Sequence, residues 1–394
     1  MNSDYSAYTA SRGAFILKNG VKIAETATAG GKIEKEGPLG ELLDVYCDSD
    51  DLHTGTFEKA EAEMVRMTVN TLLSKAGVRD SNIDLLLAGD LMNQCTSTAY
   101  GLSEFDIPYM GLYGACSTFA EGLLTAALLI DSGHIGSAIV AASSHFCTAE
   151  RQFRFPLEYG AVSGTTAQTT VTGAGAALLV RAKPDETGVF LTRGMYGIVS
   201  DRGIKDAANM GAAMATAAAD TILRYLGSTG ETTSDYDAVA TGDLGREGLS
   251  LAREMLKEKN DPAKSLCDCG ELIYDLEKQK VGCGGSGCGC SAVVTAGHFY
   301  DQLKNGSVRR MALIGTGALM SPQSIKQGQS IPGVGHLVCL EKRGYKNDLF
   351  MGILGRRRFM RHCADFDRQN KINAGAHFGR LCGERRDIYG CGRI

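Results

Sequence analysis

Three segments of this sequence occur twice in the same order, and that internal repetition constrains the fold more than any other feature. The first copy contains IDLLLAGDL, ACSTFAEGLLTAALLIDSG and TGAGAALLV, and the second contains YDAVATGDL, GCSAVVTAGHFYDQLKNG and PGVGHLVCL. The short apolar runs beside glycine are typical of buried strands, and each longer run closed by glycine is typical of a buried helix. A repeated strand–helix–strand order with short turns predicts an α/β fold of two duplicated mixed βαβ halves, in stacked layers with buried central helices.

The repeats also predict the domain organisation and the place of the site. We expect an N-terminal half over 1–182 and a C-terminal half over 183–342, with equivalent strand ends and helix N-termini of both halves around one cleft. The remaining residues, 343–394, hold 12 Lys and Arg against 5 Asp and Glu, although the whole chain carries a net charge of −4. This basic tail lacks hydrophobic periodicity and is expected to lie outside both halves.

The composition indicates the cellular compartment and whether the chain crosses a membrane. Nowhere do about 18 uncharged apolar residues run together, and the start MNSDYSAYTASRG lacks a basic region followed by an apolar stretch. We therefore expect neither a signal peptide nor a transmembrane span. Thirteen cysteines in a long chain without a secretory signal are expected to be reduced thiols in a cytosol-like compartment.

Cys116 is the candidate nucleophile. It lies in GACSTFAEG, where a glycine turn leads into an apolar helix, so its sulfur would sit at a helix N-terminus. The free N–H groups and the dipole at that position favour a thiolate or a bound anion. A small buried cysteine that only packs at the helix start is the alternative, and its place in a duplicated element favours the functional interpretation.

These features resemble the thiolase-fold condensing enzymes, especially their ketoacyl-synthase III branch. Within that group the sequence is most similar to the stage V sporulation protein AD family, through EGPLGELLD, LLLAGDLMNQ, GACSTFAEG, SSHFCTAERQFRFPLEYG, TVTGAGA, TGDLGREG and GGSGCGCSAVVT. The resemblance to the condensing enzymes covers Asp84 to about Glu341 and implies a thiolase-like fold.

The catalytic partners of such an enzyme are missing from their motifs. Condensing enzymes need a histidine and an asparagine to hold the thioester oxyanion and to assist decarboxylation. This chain has TGDL, residues 241–244, in place of a His-Gln-Ala-Asn turn, and GSGC, residues 285–288, where Gly-Asn is expected. We therefore expect a binding protein without enzymatic activity. The alternative is a ketoacyl-synthase-like acyltransferase in which Cys116 uses His145 or Asp243 as a partner.

The family resemblance also implies a ligand and partners. It implies binding of dipicolinic acid, a pyridine dicarboxylate that accompanies calcium, for uptake into the developing spore. It further implies a peripheral position at the cytoplasmic side of the spore inner membrane, beside membrane proteins of the stage V sporulation A complex. The fold allows a homodimer, and no nucleic-acid partner is expected. No cofactor is predicted, except that calcium could enter as part of the ligand complex.

Nine residues are the predicted ligand-binding set: Cys116, Asp90, Asn93, His145, Arg151, Arg154, Asp243, Ser286 and Gly287. The histidine and the two arginines directly follow a central strand and would hold the carboxylates. The acidic and amide side chains, with Gln94, would suit the ring nitrogen through water or the ligand's own calcium.

Each of these assignments has a structural alternative. Arg151 and Arg154 could form ion pairs with neighbours such as Glu150 and Glu158. His145 is equally open to a structural role. Asp90 and Asp243 each end a strand before a turn, where aspartate commonly caps the following helix.

The remaining cysteines invite a zinc interpretation. Cys283 and Cys288 have a spacing that a tetrahedral zinc site accepts, and Cys290, Cys267 and Cys269 lie near them in sequence. The glycine-rich run VGCGGSGCGCS equally suits close packing of the second buried helix, which we favour. No metal site of the protein itself is therefore predicted.

The basic tail is open to two interpretations. Its runs at 356–358 and 385–386 could form an arm for nucleic acid or a membrane surface. We instead expect out-of-frame translation, because codon degeneracy permits a shifted reading of 357–379 that resembles the start of a small membrane protein of the same sporulation set. The nucleotide sequence tests this hypothesis, and the absence of an overlapping membrane-protein frame would exclude it.

Overall fold

The structure is a computed structural model that describes residues 13–154 and 164–344, without the side chain of Arg154. The predictions for the tail beyond Gly344 therefore concern residues outside the described part. Its strands are β1 (Ala14–Gly30), β2 (Val45–Tyr46), β3 (Leu85–Gly89), β4 (Tyr109–Gly111), β5 (Ser137–Ser144), β6 (Thr169–Thr170), β7 (Gly173–Arg181), β8 (Gly188–Met195), β9 (Ala238–Thr241), β10 (Leu266–Asp268), β11 (Gly285–Ser286), β12 (Arg310–Ala318) and β13 (Gly333–Arg343).

Helices alternate with these strands along the chain. They are α1 (Lys32–Lys35), α2 (Phe57–Ala76), α3 (Thr96–Gly101), α4 (Thr118–Asp131), α5 (Phe146–Ala149), α6 (Met210–Thr229), α7 (Gly245–Glu258), α8 (Cys269–Leu272), α9 (Cys288–Val294), α10 (Tyr300–Asn305) and α11 (Pro322–Lys326). Wider π-type turns follow α5, over Glu150–Arg154, and join α9 to α10, over Thr295–Phe299. The predicted second buried helix is thus divided into two by a π-type turn.

The duplication is visible in the order of the strands. One sheet runs β10-β9-β12-β13-β8-β1-β7-β5-β3-β4, and its two ends mirror each other about the β8–β1 pair. In each half the central strand is parallel to the one beyond it, as in β3–β5 and β9–β12, and antiparallel to the closing strand, as in β5–β7 and β12–β13. The repeated motifs therefore become structurally equivalent elements.

The buried helices lie between the two half-sheets. α4 contacts β5 and β1 of the first half together with β12 and β13 of the second, and α9 packs on β7 and β5. Apolar residues on every side explain this position, because Phe119, Leu123 and Leu124 of α4 are all buried in one continuous core. Two further cores cover the outer faces, one under α2 and one under α6 and α7. The predicted layered α/β architecture with buried central helices is confirmed.

Local signals set the ends of the covering helices. Thr56 accepts a hydrogen bond from the Lys59 N–H at the start of α2, and Gly77 ends that helix in the left-handed conformation. Among the described residues, no helix has the length and apolar character needed to cross a membrane.

Candidate functional site

A cleft opens where strand ends and helix starts of both halves meet, with about 800 Å³ of empty space counted out to its mouth. Its walls are partly apolar and partly polar, and they carry few charges. The lining residues are Asp90, Leu91, Met92, Asn93, Gln94, Cys95, Tyr113, Ala115, Cys116, Ala149, Phe153, Thr170, Met210, Ser286, Gly287, Ala318 and Met320. Five of the nine predicted ligand-binding residues are in this set.

Cys116 sits at the floor of the cleft, on a short 3-10 turn that leads into α4, and only 9% of it is exposed. The preceding Ala115 has a φ of 51°, a left-handed conformation that costs a residue with a Cβ about 1–2 kcal/mol. The thiol of Cys288, at the start of α9, donates a hydrogen bond to the Ala115 carbonyl at 2.9 Å. The two buried helices of the repeat are therefore joined directly beneath the candidate nucleophile.

Asp90 holds the wall contributed by the first half. Its carboxylate accepts hydrogen bonds from the Met92 N–H at 2.8 Å and from the Thr98 N–H and hydroxyl at 2.7 and 2.8 Å. Between these donors Gln94 and Cys95 adopt left-handed φ values of 61° and 50°. The tight loop leaves Asn93 and Gln94 exposed at the rim of the cleft.

In the second half, Asp243 holds the wall of the cleft in the same way, through hydrogen bonds, but its side chain lies behind the lining residues. It is fully buried and accepts hydrogen bonds from the Thr316 hydroxyl at 2.6 Å and the Gly287 N–H at 3.1 Å. Gly287 has a φ of 101°, and a Cβ there would lie 2.7 Å from the Ser144 Oγ, so only glycine fits. Asp243 thus fixes Gly287 and Ser286 at the cleft without lining it.

The motif segments that lack the catalytic histidine and asparagine form buried hydrogen bonds that stabilise the fold. The Thr241 hydroxyl donates to Asp268 at 2.6 Å, and the N–H groups of Leu244 and Gly245 donate to the same carboxylate. Burial raises the pKa of Asp268 to about 7, against the lowering effect of these bonds. Within the described wall of the cleft there is no histidine, lysine or arginine beside Cys116.

Two of the predicted cationic residues, His145 and Arg151, lie away from this wall. His145 is buried, its ring stacks on Phe57 at 5.6 Å, and its Nε2 lies 2.7 Å from the Asp50 carbonyl. Its Nδ1 accepts from the Cys147 N–H, which makes Nε2 the donor, and burial lowers the pKa of the ring.

Arg151 is exposed and forms an ion pair with Glu58 at 3.1 Å. It lines a separate hollow with Ser49, Asp50 and Asp51. The prediction for the Arg154 side chain lies outside the described residues.

Sequence reasoning missed the apolar walls. Tyr113 immediately precedes GACS, and Met320 follows the second-half strand β12, so their nearness to the motifs was the available signal. Phe153 also had this signal, since it stands between the predicted Arg151 and Arg154. Met210 carries no such signal, because α6 reaches the cleft only through the fold.

The cysteines of the zinc interpretation are dispersed. Cys283 donates to the Thr166 carbonyl at 3.0 Å, Cys288 donates to Ala115, and Cys269 and Cys290 are buried in the core between the half-sheets. In the two described stretches, no group of three or more His, Cys, Asp or Glu side chains is arranged to hold a metal ion.

Comparisons with known proteins agree on one family and one fold. A family model described as Stage V sporulation protein AD matches residues 11–341. Stage V sporulation protein AD of Bacillus subtilis is 42% identical over 331 residues, which cover 84% of this chain and 97% of that protein.

Solved structures show the same fold at low identity. A variant of OleA from Xanthomonas campestris superposes with a TM-score of 0.53 at 14% identity, covering 84% of this chain and all of the other. Cerulenin-bound OleA gives 0.52 at 14% identity, covering 82% and 100%. The predicted thiolase-like fold is therefore confirmed.

Proposed function

This chain belongs to the stage V sporulation protein AD family, and from that premise we propose that it is a catalytically silent binding protein whose cleft takes up dipicolinic acid or its calcium complex during sporulation. Its role would be to deliver this acid for uptake into the developing spore. The observation that carries the proposal is a cleft that keeps the nucleophile position but whose described wall holds no histidine, lysine or arginine.

The surroundings of Cys116 support a silent site. A cysteine nucleophile needs a base to take its proton and donors for the oxyanion. In the described wall the polar groups are carboxylate, amide and hydroxyl side chains. The segment that would carry a histidine instead contains the buried Asp243, which accepts from Thr316, and its Leu244 N–H donates to Asp268. The helix start remains, and it favours an anion whether or not a covalent bond is formed.

The lining of the cleft supports a small planar acid. Met92, Met320 and the ring of Tyr113 offer polarisable apolar surface for an aromatic ring. Asn93 and Ser286 offer neutral donors from opposite walls, which could receive the two carboxylates of a flat dicarboxylic acid. An elongated acyl chain has no polar groups that could form hydrogen bonds with side chains on both walls.

The partners in this proposal come from the family. We place the protein at the spore inner membrane, held there by membrane proteins of the stage V sporulation A complex. A homodimer is the proposed form of the protein in solution.

Calorimetric titration of the full chain with dipicolinic acid tests the proposal. We expect binding by the wild type and at least about tenfold weaker binding by an Asn93→Ala, Ser286→Ala double variant, which loses two hydrogen bonds worth about 1 kcal/mol each. Arg151→Ala is the matched control, because that side chain lies in the separate hollow and its loss should leave the affinity unchanged. No binding by the wild type, or loss of binding only in Arg151→Ala, would contradict the proposal.

The acyltransferase alternative is tested on the same protein by mass spectrometry after incubation with acyl-coenzyme A thioesters. We expect no adduct on Cys116, because the described wall holds no histidine to serve as the usual general base. A stable acyl adduct that disappears in Cys116→Ala would favour the enzyme instead.

A further inference from the structure

A second buried carboxyl group, Glu61, lies behind the cleft wall and has no part in the proposed contacts. It projects from α2 and is completely buried. The Ser143 hydroxyl of β5 donates to it at 3.2 Å, and the Thr148 hydroxyl of α5 donates at 2.8 Å. Since Ala149 beside Thr148 lines the cleft, Glu61 touches the framework of the site.

Glu61 and Asp90 form a pair through consecutive residues of α3. The Ser97 side chain lies beside Glu61, with its hydroxyl donating to the Met92 Sδ at 3.1 Å, and the next residue, Thr98, donates twice to Asp90. Burial first, and then the charge of Asp90, raise the pKa of Glu61 to about 8. Burial also raises the pKa of Asp90, against the opposing effect of its hydrogen bonds.

Among the described residues, neither carboxylate forms a hydrogen bond or an ion pair with a Lys, Arg or His side chain. The titratable groups in electrostatic contact with it are Cys95, Tyr109 and Cys288, and burial raises the pKa of all three, which keeps them neutral at neutral pH. The hydrogen-bond donors are hydroxyl and backbone N–H groups. Glu150, buried after α5, engages partners of its own. A negative charge on this pair is therefore uncompensated by any described cation.

We propose that the Glu61–Asp90 carboxyl pair is a proton-binding site coupled to the cleft, holding one proton when the cleft is empty and taking up a second when an organic acid anion binds. The inference rests on the proposed function, because it needs an anionic ligand beside Asp90. An anion placed next to the cleft-facing carboxylate disfavours its charged form, so ligand and proton bind with positive coupling.

The coupling has a defined direction and a defined stoichiometry. At neutral pH Glu61 holds the first proton and Asp90 takes the second, so binding consumes about one proton. Above the pKa of Glu61 the empty pair has lost both protons, and binding then consumes nearly two. Affinity for the anion therefore weakens as pH rises, about tenfold per pH unit for each proton consumed.

Calorimetric titration of the full chain with metal-free dipicolinate, at pH 7 and pH 9 in buffers of different ionisation enthalpy, counts these protons. We expect about one proton at pH 7 and about two at pH 9 for the wild type. In Glu61→Gln, whose amide imitates the protonated acid, we expect about one proton at both values. Glu34→Gln is the matched control, because Glu34 is another buried carboxyl, but it is hydrogen-bonded to Thr172 and Tyr274 and not to the residues around Asp90. This variant should take up as many protons as the wild type at both pH values.

The outcomes separate this inference from the proposed function. Binding whose enthalpy is the same in all buffers would overturn the proton coupling and leave the ligand assignment standing. A second proton that persists at pH 9 in Glu61→Gln would place the uptake elsewhere and also overturn it. Absence of any binding by the wild type would overturn the proposed function, and the coupling with it.

Discussion

Asp90 and Asp243 follow equivalent strands, β3 and β9, yet their side chains do different work. Asp90 reaches the cleft because the loop after it turns back through two left-handed residues, Gln94 and Cys95. Asp243 is turned inward, where the Thr316 hydroxyl and the Gly287 N–H use both of its oxygens. Both carboxylates are buried at equivalent positions, but only that of Asp90 lines the cleft.

This difference predicts the effect of removing Asp243. Asp243→Ala should lower the free energy of unfolding by about 2–4 kcal/mol, because it leaves two buried donors without an acceptor. Asp243→Asn keeps one acceptor oxygen and should lose about half as much. Chemical denaturation measures both values, and equal loss in the two variants would contradict a hydrogen-bonding role.

The motifs predicted several residues that line the cleft, whereas they did not predict side-chain direction, and the ligand-binding roles stay predictions. Cys116, Asp90 and Ser286 were found because they stand at repeated junctions between strand and helix. His145 and Arg151 stand at a similar junction after β5, but the short helix α5 turns them toward Asp50 and Glu58. That direction depends on contacts with Asp50 and with Glu58 at the start of α2, 95 and 93 residues earlier in the chain, which no local pattern contains.

At the scale of elements, a single buried carboxyl ties α1 to the closing strand of the first half. Glu34 of α1 accepts from the Thr172 N–H at 3.1 Å, just before β7, and from the hydroxyl of the buried Tyr274. Burial raises the pKa of Glu34 from 4.5 to about 7, more than its hydrogen bonds lower it. The Glu34 side chain therefore joins both halves, and burial favours its protonated form in the folded protein.

The pH dependence of stability follows from this contact. The folded pKa of Glu34 lies above the unfolded value, so its contribution is fully present below about pH 4.5 and is lost as pH rises through 7. Between pH 5 and pH 8, Glu34→Gln should gain about 3 kcal/mol of unfolding free energy relative to the wild type. Denaturant unfolding at the two pH values measures the gain, and a constant difference would contradict it.

Elements outside the repeats escaped the sequence analysis. The motifs predicted β3, β5, β7 and their second-half equivalents, because each is a compact apolar run beside glycine. β1 spans 17 residues with exposed positions in its middle, where its pairing with β8 shifts register between Ile16 and Val21. Such a strand has no uniform alternation, and only its two neighbours reveal it as the centre of the sheet.

At the scale of the whole molecule, the two edge strands of the sheet differ in how far their side chains are buried. β10 at one end has buried residues at both of its termini, Leu266 and Asp268. At the other end β4 pairs with β3, and Tyr109 and Met110 of β4 are exposed, as are the neighbouring Tyr100 and Tyr113. An exposed apolar edge strand is an aggregation hazard that proteins normally cover.

We predict that a second copy of the chain covers the exposed edge strand β4. A two-fold axis beside β4 sets this strand antiparallel to its own copy, so the same patch is used twice and the sheet continues across both subunits. Light scattering should give twice the chain mass of 41.8 kDa for the wild type and a single chain mass for Met110→Lys. Leu251→Lys on α7 is the matched control, since Leu251 and Met110 are each 39% exposed. Because Tyr113 belongs to both the exposed patch and the cleft, Met110→Lys should also weaken binding of the acid. A wild type that is monomeric at all concentrations would contradict the predicted dimer.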